Sequence, residues 1–410
     1  MQPASSSSTA NNIGFVEFLV LVASLMACQA LAVDAMLPAL PTIAQALGLS
    51  DENSAQWIVT AYMAGLGCGQ LFWGMISDRF GRRPVLLTGL ALYVVAALLV
   101  GLSNSFNGLL GWRFLHGIAA ASAVVSRSVI RDLYDGRQMA RIMSLTFIVF
   151  IMVPVIAPSV GQLILFVAPW RYLFVMFSVF ACAIWVWVLL RLPETLHPEY
   201  RLTLTVDHVV QAARLVLSDR ASLCYTLAVT MVFGSILAYV GMVQQIFSEV
   251  FHRPQLMPTM FAVCAALMGV ASFVNSSIVE RIGMRIVSQI GLLLFIAITG
   301  LHVLVAALGF EGLSTFVILQ AATMGCVGLM VANFGTMAME PMGSVAGIAA
   351  SLQGFISTTG AAVVGALIGR YFNGSTLPLV IGAASCGVLA LVCVLFAEQG
   401  RLFRPHHVAI

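Results

Sequence analysis

The sequence predicts an all-α integral membrane protein with twelve transmembrane helices in two pseudo-symmetric six-helix halves. Three observations carry this. Apolar residues make up 60% of the 410-residue chain and charged residues 9%, against about 45–50% and about 25% in a soluble domain. So little charge cannot cover a surface in water, which excludes a soluble enzyme, a nucleic-acid binder and a disordered protein. Second, twelve apolar runs approach or exceed the about 20 residues that span a bilayer as a helix: 14–37, 55–76, 84–103, 107–128, 142–166, 171–190, 221–244, 257–279, 286–308, 313–335, 345–370 and 377–397. They lack the strict alternation of barrel strands. Third, Asp78-Arg79-Phe80-Gly81-Arg82-Arg83 after the second run is echoed 202 residues later by Glu280-Arg281-Ile282-Gly283-Met284-Arg285 after the eighth. Transporters are commonly built from such repeats, with the substrate site between them.

Taken in order, residues 1–13 read as a retained, disordered polar tail. They carry no Lys or Arg and lead into a long apolar run, unlike a signal peptide. Residues 14–190 form the N-terminal six-helix bundle. In its first span, Pro38 and Pro41 lack N–H donors and end or break the helix just after Asp34. Residues 191–220, with Pro193, Glu194, Pro198, Glu199 and Asp207, form a cytoplasmic linker. Residues 221–397 form the C-terminal bundle, whose eleventh span carries Gly347, Gly354, Gly360, Gly365 and Gly369 for close helix packing. Residues 398–410 form a cytoplasmic tail. The eight cysteines all lie inside apolar runs and read as small hydrophobes.

All 19 basic residues are Arg, which stays charged under any protein condition. With the N-terminus placed in the cytoplasm, fifteen Arg fall on the cytoplasmic side and three, Arg171, Arg253 and Arg370, outside. The positive-inside rule therefore makes both termini cytoplasmic.

Charges within spans cost at least about 2.5–3.5 kcal/mol at the bilayer centre. Glu17, Arg127, Arg171 and Arg370 sit at span ends and can snorkel. Asp34 and Arg113 lie deeper. Asp34 is about one turn inside the outer end of the first span, and Arg113 is six residues into the fourth, roughly 9 Å at 1.5 Å per residue. Either they pair or both line one outward-reaching cavity. Burial disfavours the charged form of a carboxylate and a nearby guanidinium favours it, so moving either the Arg or the water switches a proton on or off. His116, three residues after Arg113, shares its helix face. His302 has no charged neighbour in its span and reads as a packing residue.

In the loop after the second span, Gly74 allows close packing and Asp78 can pair with Arg. Gly81 permits a tight reversal, Arg82 and Arg83 anchor the loop, and Pro84 starts the next helix. This Gly74–Pro84 segment resembles the loop 2–3 signature of the major facilitator superfamily. Trp112-Arg113-Phe114-Leu115-His116-Gly117 resembles its helix 4 motif Arg-x-x-x-Gly, with His116 where Gln is commoner. Asp34 to Pro41 is similar to the helix 1 motif of the twelve-helix drug:proton antiporters, especially the Bcr/CflA (bicyclomycin/chloramphenicol resistance) branch. Pro154-Val-Ile-Ala-Pro158-Ser-Val-Gly161 partly matches the antiporter motif of helix 5, with Ala157 in place of Gly. The resemblance implies that Asp34 is a proton and substrate site, with Arg113 its coupling partner. It implies a gate of Gly74, Asp78, Arg79, Gly81, Arg82 and Arg83.

Candidate pocket residues are Asp34, Gln29, Tyr62, Tyr239, Gln244, Asn333 and Gln353, with Gln70 and Asn275, on spans 1, 2, 7, 8, 10 and 11. Twenty Met and 25 Phe supply adaptable apolar walls. No catalytic residue and no metal-ligand cluster is expected, because no His-x-x-x-His or intramembrane Asp pair occurs. The expectation is a monomeric, proton-coupled multidrug efflux antiporter of the bacterial inner membrane. It needs no cofactor beyond the proton gradient, and its partners are a small-molecule substrate, protons and the lipid bilayer, not nucleic acid. The alternative is a proton-coupled sugar or amino-acid transporter of the same fold.

Overall fold

The computed structural model describes residues 13–49, 52–134, 136–197, 199 and 206–403. Most of the two expected tails and part of the linker lie outside these residues. The described chain is helical: α1 (Phe15–Asp34), α2 (Leu40–Ala46), α3 (Gln56–Phe80), α4 (Arg82–Gly101), α5 (Phe106–Ala120), α6 (Val125–Leu133), α7 (Gly136–Val167), α8 (Arg171–Arg191), α9 (Val206–Ser218), α10 (Arg220–Gln245), α11 (Met257–Ile282), α12 (Met284–Ala307), α13 (Leu313–Met339), α14 (Ala346–Arg370) and α15 (Leu377–Ala397). Among the described residues, ten helical segments are long and apolar enough to cross a membrane, with Met152–Val167 of α7 a shorter apolar stretch. The polar residues of α3 lower its hydropathy, but it belongs with the long helices by length and position.

Helices before Arg191 pack on one another, α3 on α5, α4 on α8 and α5, and α1 on α7. Those after Arg220 do likewise, α10 on α15 and α14, and α11 on α13. The two sets meet along α3 with α14 and α7 with α11. Small residues permit the closest crossings. A Cβ at Gly117 of α5 would overlap the Tyr62 carbonyl of α3, and one at Gly161 of α7 would overlap the Ala35 carbonyl beside Asp34.

The first span is broken rather than continuous: its helical segment runs from Phe15 to Ala46, but the regular helix α1 stops at Asp34. After α1 ends at Asp34, Pro38 and Pro41 each take an opening position of a new short helix, where the missing N–H leaves no bond unmade. The fourth span is divided, since α5 tightens into a 3₁₀ turn at Ala121–Val124 before α6 begins. The linker holds an unexpected helix, α9. Its Val216 is buried with Met342 and Ala349 at the base of α14.

The sequence echo is also a backbone echo. Gly81 (φ 104°, ψ 161°) and Gly283 (φ 94°, ψ 146°) are the single residues between α3 and α4 and between α11 and α12. This region is essentially restricted to glycine and costs a side-chain-bearing residue about 1–3 kcal/mol. At Gly81 an added Cβ would also strike the Glu194 carboxylate. Gly81→Ala is expected to lower the melting temperature in detergent measurably, and more than Gly283→Ala, whose Cβ meets nothing within 4 Å. Equal melting temperatures for the two variants would refute the steric part of this account.

Candidate substrate and proton site

A cavity of about 320 Å³ lies where the two sets of helices meet, with walls from α1, α3, α7, α10, α11, α13 and α14. Met63, Leu66, Phe233, Leu237, Met268 and Met324 give it an apolar surface. Its polar lining groups are Gln29, Asp34, Gln70, Tyr239 and Thr358, and Asp34 is the one carboxylate among them. The Asp34 side chain makes no hydrogen bond or ion pair with a described residue. Tyr239 stacks on Phe261, ring centroids 5.7 Å apart and 7° from parallel.

Arg113 is fully buried and Asp34 is 7% exposed, yet they do not pair, and Arg113 is not among the residues that line the central cavity with Asp34. Its guanidinium has three other acceptors. Nε donates to the Ile58 carbonyl at 3.3 Å, Nη2 to the Ala32 carbonyl at 3.2 Å, and Nη1 lies 3.2 Å from His116 Nδ1. It also sits 4.4 Å over the Tyr62 ring. The Ala32 contact follows from how α1 ends. Met36 N–H turns to Val33 O rather than to Ala32 O, so the Ala32 carbonyl is one of the orphans of a helix C-terminus. A cation is the favoured partner there. Arg113 only donates, so His116 Nδ1 accepts and its hydrogen is on Nε2, which has no hydrogen-bond partner. The Tyr93 ring stands edge-on at 4.1 Å. Tyr62 and Tyr93 cap two further α1 carbonyls, Gln29 and Cys28, each at 3.0 Å.

The other candidate pocket residues divide. Gln29 and Tyr239 line the central cavity. Gln244 lines a separate small pocket of about 70 Å³ with Leu40 and Gln56. Tyr62 is buried against α1. Asn333 pairs with Asn275 at 2.8 Å between α13 and α11, and Gln353 donates to Ser222 at 2.8 Å and the Ala338 carbonyl at 2.9 Å. An amide in a membrane interior meets its hydrogen-bonding demand from a neighbouring helix as well as from a cargo, which is why polarity alone did not separate these roles.

One end of the bundle is rich in arginine. Arg82 Nη1 pairs with Asp78, and Nε donates to Asp132 at 2.9 Å. Glu194 Oε1 accepts from the backbone N–H of Arg82 at 2.8 Å and Leu196 at 2.9 Å, and Oε2 from that of Arg83 at 3.2 Å. Arg83 donates to the Leu189 carbonyl at 2.7 Å, and Arg79 lies 5.3 Å over the Phe80 ring. Gly74 faces α14, where Ser351 Oγ would lie 3.0 Å from an added Cβ. The second half repeats the theme, with Glu398 holding Arg285 at 2.8 Å and accepting from Tyr225. Sequence reasoning missed Asp132, Glu194 and Glu398. The acids placed just past the sixth and twelfth spans were the available signal. It also missed Glu311, which holds His302 at 2.6 Å from the following loop, and Arg191, which pairs with Glu17 at 2.7 Å.

At the opposite end, uncharged amides join the two sets of helices. Gln56 Nε2 donates to Gln245 Oε1 at 2.6 Å and to the Gly369 carbonyl at 3.4 Å. Gln245 Nε2 donates to Asn53 at 2.9 Å, and Asn53 to the Phe372 carbonyl at 3.1 Å. Gln245→Ala removes the two contacts made by that side chain. It is expected to open this end and raise severalfold the rate at which an impermeant thiol reagent labels a Thr60→Cys reporter in an otherwise cysteine-free protein. Unchanged labelling would mean that the amides do not hold this end shut.

Residues 22–363 match the sequence family described as Major Facilitator Superfamily. The chain belongs to this superfamily. It is 28% identical over 372 residues to a bicyclomycin resistance protein homolog of Haemophilus influenzae, covering 90% of this chain and 93% of that one. It is 30% identical over 382 residues to the multidrug resistance protein MdtL of Klebsiella pneumoniae, again covering 90% and 93%. Its fold matches the crystal structure of a D-xylose-proton symporter with a TM-score of 0.75 at 13% identity, over 95% of this chain and 99% of that one. As a major facilitator protein, it is a transporter and not an enzyme.

Proposed function

We propose that this protein is a proton-coupled multidrug efflux antiporter of a bacterial inner membrane, exporting small lipophilic compounds as a monomer. The observation that carries the reading is the apolar cavity between the halves with Asp34 as its one carboxylate. Such a wall accepts varied apolar shapes, because Met and aromatic side chains repack at little cost. The carboxylate carries the proton in one step and is free for cargo in the next. The names of the Haemophilus and Klebsiella relatives support the drug-export direction. A sugar would want many hydrogen-bonding groups, and this wall offers five polar side chains among 19 lining residues.

The arginine-rich end is assigned to the cytoplasm with both termini, on the positive-inside rule. The amide contacts then close the outer end, and this conformation faces inward. The Asp78–Arg82–Asp132 cluster, with Gly74, Arg79, Gly81 and Arg83, acts as the inner latch, engaging the base of α14 when the inner end closes. No cofactor is required beyond the proton gradient. The test is uptake into proteoliposomes of a panel of antibiotics, with and without an imposed pH gradient. Gradient-dependent accumulation of several compounds is expected. Accumulation that ignores the gradient, or that is confined to sugars or amino acids, would overturn the reading.

A further inference from the structure

We propose that the transport path is bipolar, with Asp34 taking the cationic end of an elongated amphiphilic zwitterion and Arg127 with Arg131 taking its anionic end. This rests on the export reading and names its preferred cargo class.

The arginine-rich end holds a second cavity of about 480 Å³, lined by α1, α3, α6 and α14, with Arg82 of α4, the 3₁₀ turn at Ala121–Val124 and Met339 of α13. Five charged side chains face it: Asp78, Arg82, Arg127, Arg131 and Asp132. Arg82 engages both carboxylates, and Asp132 also accepts from Thr195 at 3.0 Å. Arg127 and Arg131 make no hydrogen bond or ion pair with a described residue. They are four residues apart on the short helix α6 and share one face, a spacing at which like charges repel. The α14 residues across from them, Ala346, Gly347, Ala350, Ser351 and Gly354, include no acid. Both arginines face the cavity between the halves, not lipid, so snorkelling does not account for them. Two unpaired guanidinium groups in a walled cleft concentrate the field on whatever enters.

This cavity shares Gln29 and Gln70 with the central one, so the two adjoin across those side chains. Met26 of α1 also lines this cavity, and Asp34 lies eight residues further along the same helix, about 12 Å at 1.5 Å per residue. A purely anionic cargo meets the Asp34 carboxylate, and a purely cationic one meets the arginine pair. A molecule with an amine at one end, an acid at the other and an apolar body between them satisfies both poles and the Met- and Phe-lined wall.

The test uses a rigid para-substituted biphenyl with an aminomethyl group at one end and a carboxylate at the other. Its methyl ester is the cation-only control and its N-acetyl derivative the anion-only control. Binding to the purified full-length protein in phosphatidylcholine nanodiscs is measured by titration calorimetry. The zwitterion is expected to bind about tenfold tighter than either control. Arg127→Gln with Arg131→Gln erases its advantage over the ester while the ester binds at least as tightly as before, because the repulsion of its cation is relieved, and retained ester binding also reports an intact fold. Asp34→Asn erases its advantage over the N-acetyl compound. Equal affinities for the three compounds in the unmodified protein, or a double variant that keeps the ranking, would overturn the proposal. So would loss of the zwitterion's advantage in phosphatidylglycerol nanodiscs, which would assign the arginine pair to lipid headgroups. Because the readout is binding, failure of gradient-driven export would count against the efflux reading and leave this ranking to be judged separately.

Discussion

Asp34→Asn is expected to abolish uphill export while leaving the fold intact. The substitution keeps the side-chain volume and removes a buried carboxylate that makes no hydrogen bond or ion pair with a described residue. Nothing in the packing depends on its charge, and an unpartnered buried charge is itself unfavourable. The melting temperature should therefore hold or rise. Transport should change in kind. At one proton per cargo, each pH unit corresponds to 1.36 kcal/mol and sustains about a tenfold concentration ratio. In the Asn variant that ratio should collapse to about one, with downhill exchange continuing because the apolar wall is untouched. The measurement is steady-state accumulation in proteoliposomes against imposed pH steps. A slope like that of the unmodified protein would place the coupling proton elsewhere.

Asp34 was legible from sequence as a buried carboxylate that lines the central cavity, because a charge in an apolar run is rare and persists where a polar cavity receives it. The twelve-helix course was legible for a similar reason, since hydropathy is a sum over many residues and tolerates local errors. The Gly81 and Gly283 junctions were legible because the echo fixes a backbone state that glycine permits. What sequence could not supply was direction around a helix axis and the identity of backbone acceptors. Residue counting put Arg113 at about the depth of Asp34, but its acceptors are the carbonyls of Ala32 and Ile58, and carbonyls carry no residue-type signature. The same limit explains Asn333 and Gln353, whose partners are set by helix rotation. The division of the fourth span at Ala121–Val124 and the docking of α9 on α14 are tertiary effects, without a breaker residue or an apolar run of membrane length to announce them.

The second large effect is expected at Arg113, through the geometry of α1 rather than through an ion pair. Three elements converge on the end of α1: Tyr62 from α3, Tyr93 from α4 and Arg113 from α5 cap the carbonyls of Gln29, Cys28 and Ala32. Asp34 is two residues beyond the last of these, and Gly161 lets α7 press on Ala35 from the other side. The carboxylate is therefore placed by a clamped helix end, with the guanidinium countering the C-terminal dipole. Arg113→Ala leaves the Ala32 carbonyl orphaned and a hole beside Tyr62 and Phe174, at a cost of about 2–4 kcal/mol. Arg113→Lys keeps a charge but has one nitrogen in place of a planar fork whose three nitrogens face Ile58, His116 and Ala32. Both variants should export poorly, Ala worse than Lys. The Ala variant should also melt lower, whereas Asp34→Asn should not. Tyr93→Phe, which loses the Cys28 contact alone, should show a milder form of the same defect. If Arg113→Ala keeps the melting temperature and the pH-dependent accumulation of the unmodified protein, the end of α1 is not held by this clamp, and Arg113 acts in some other conformation of the cycle.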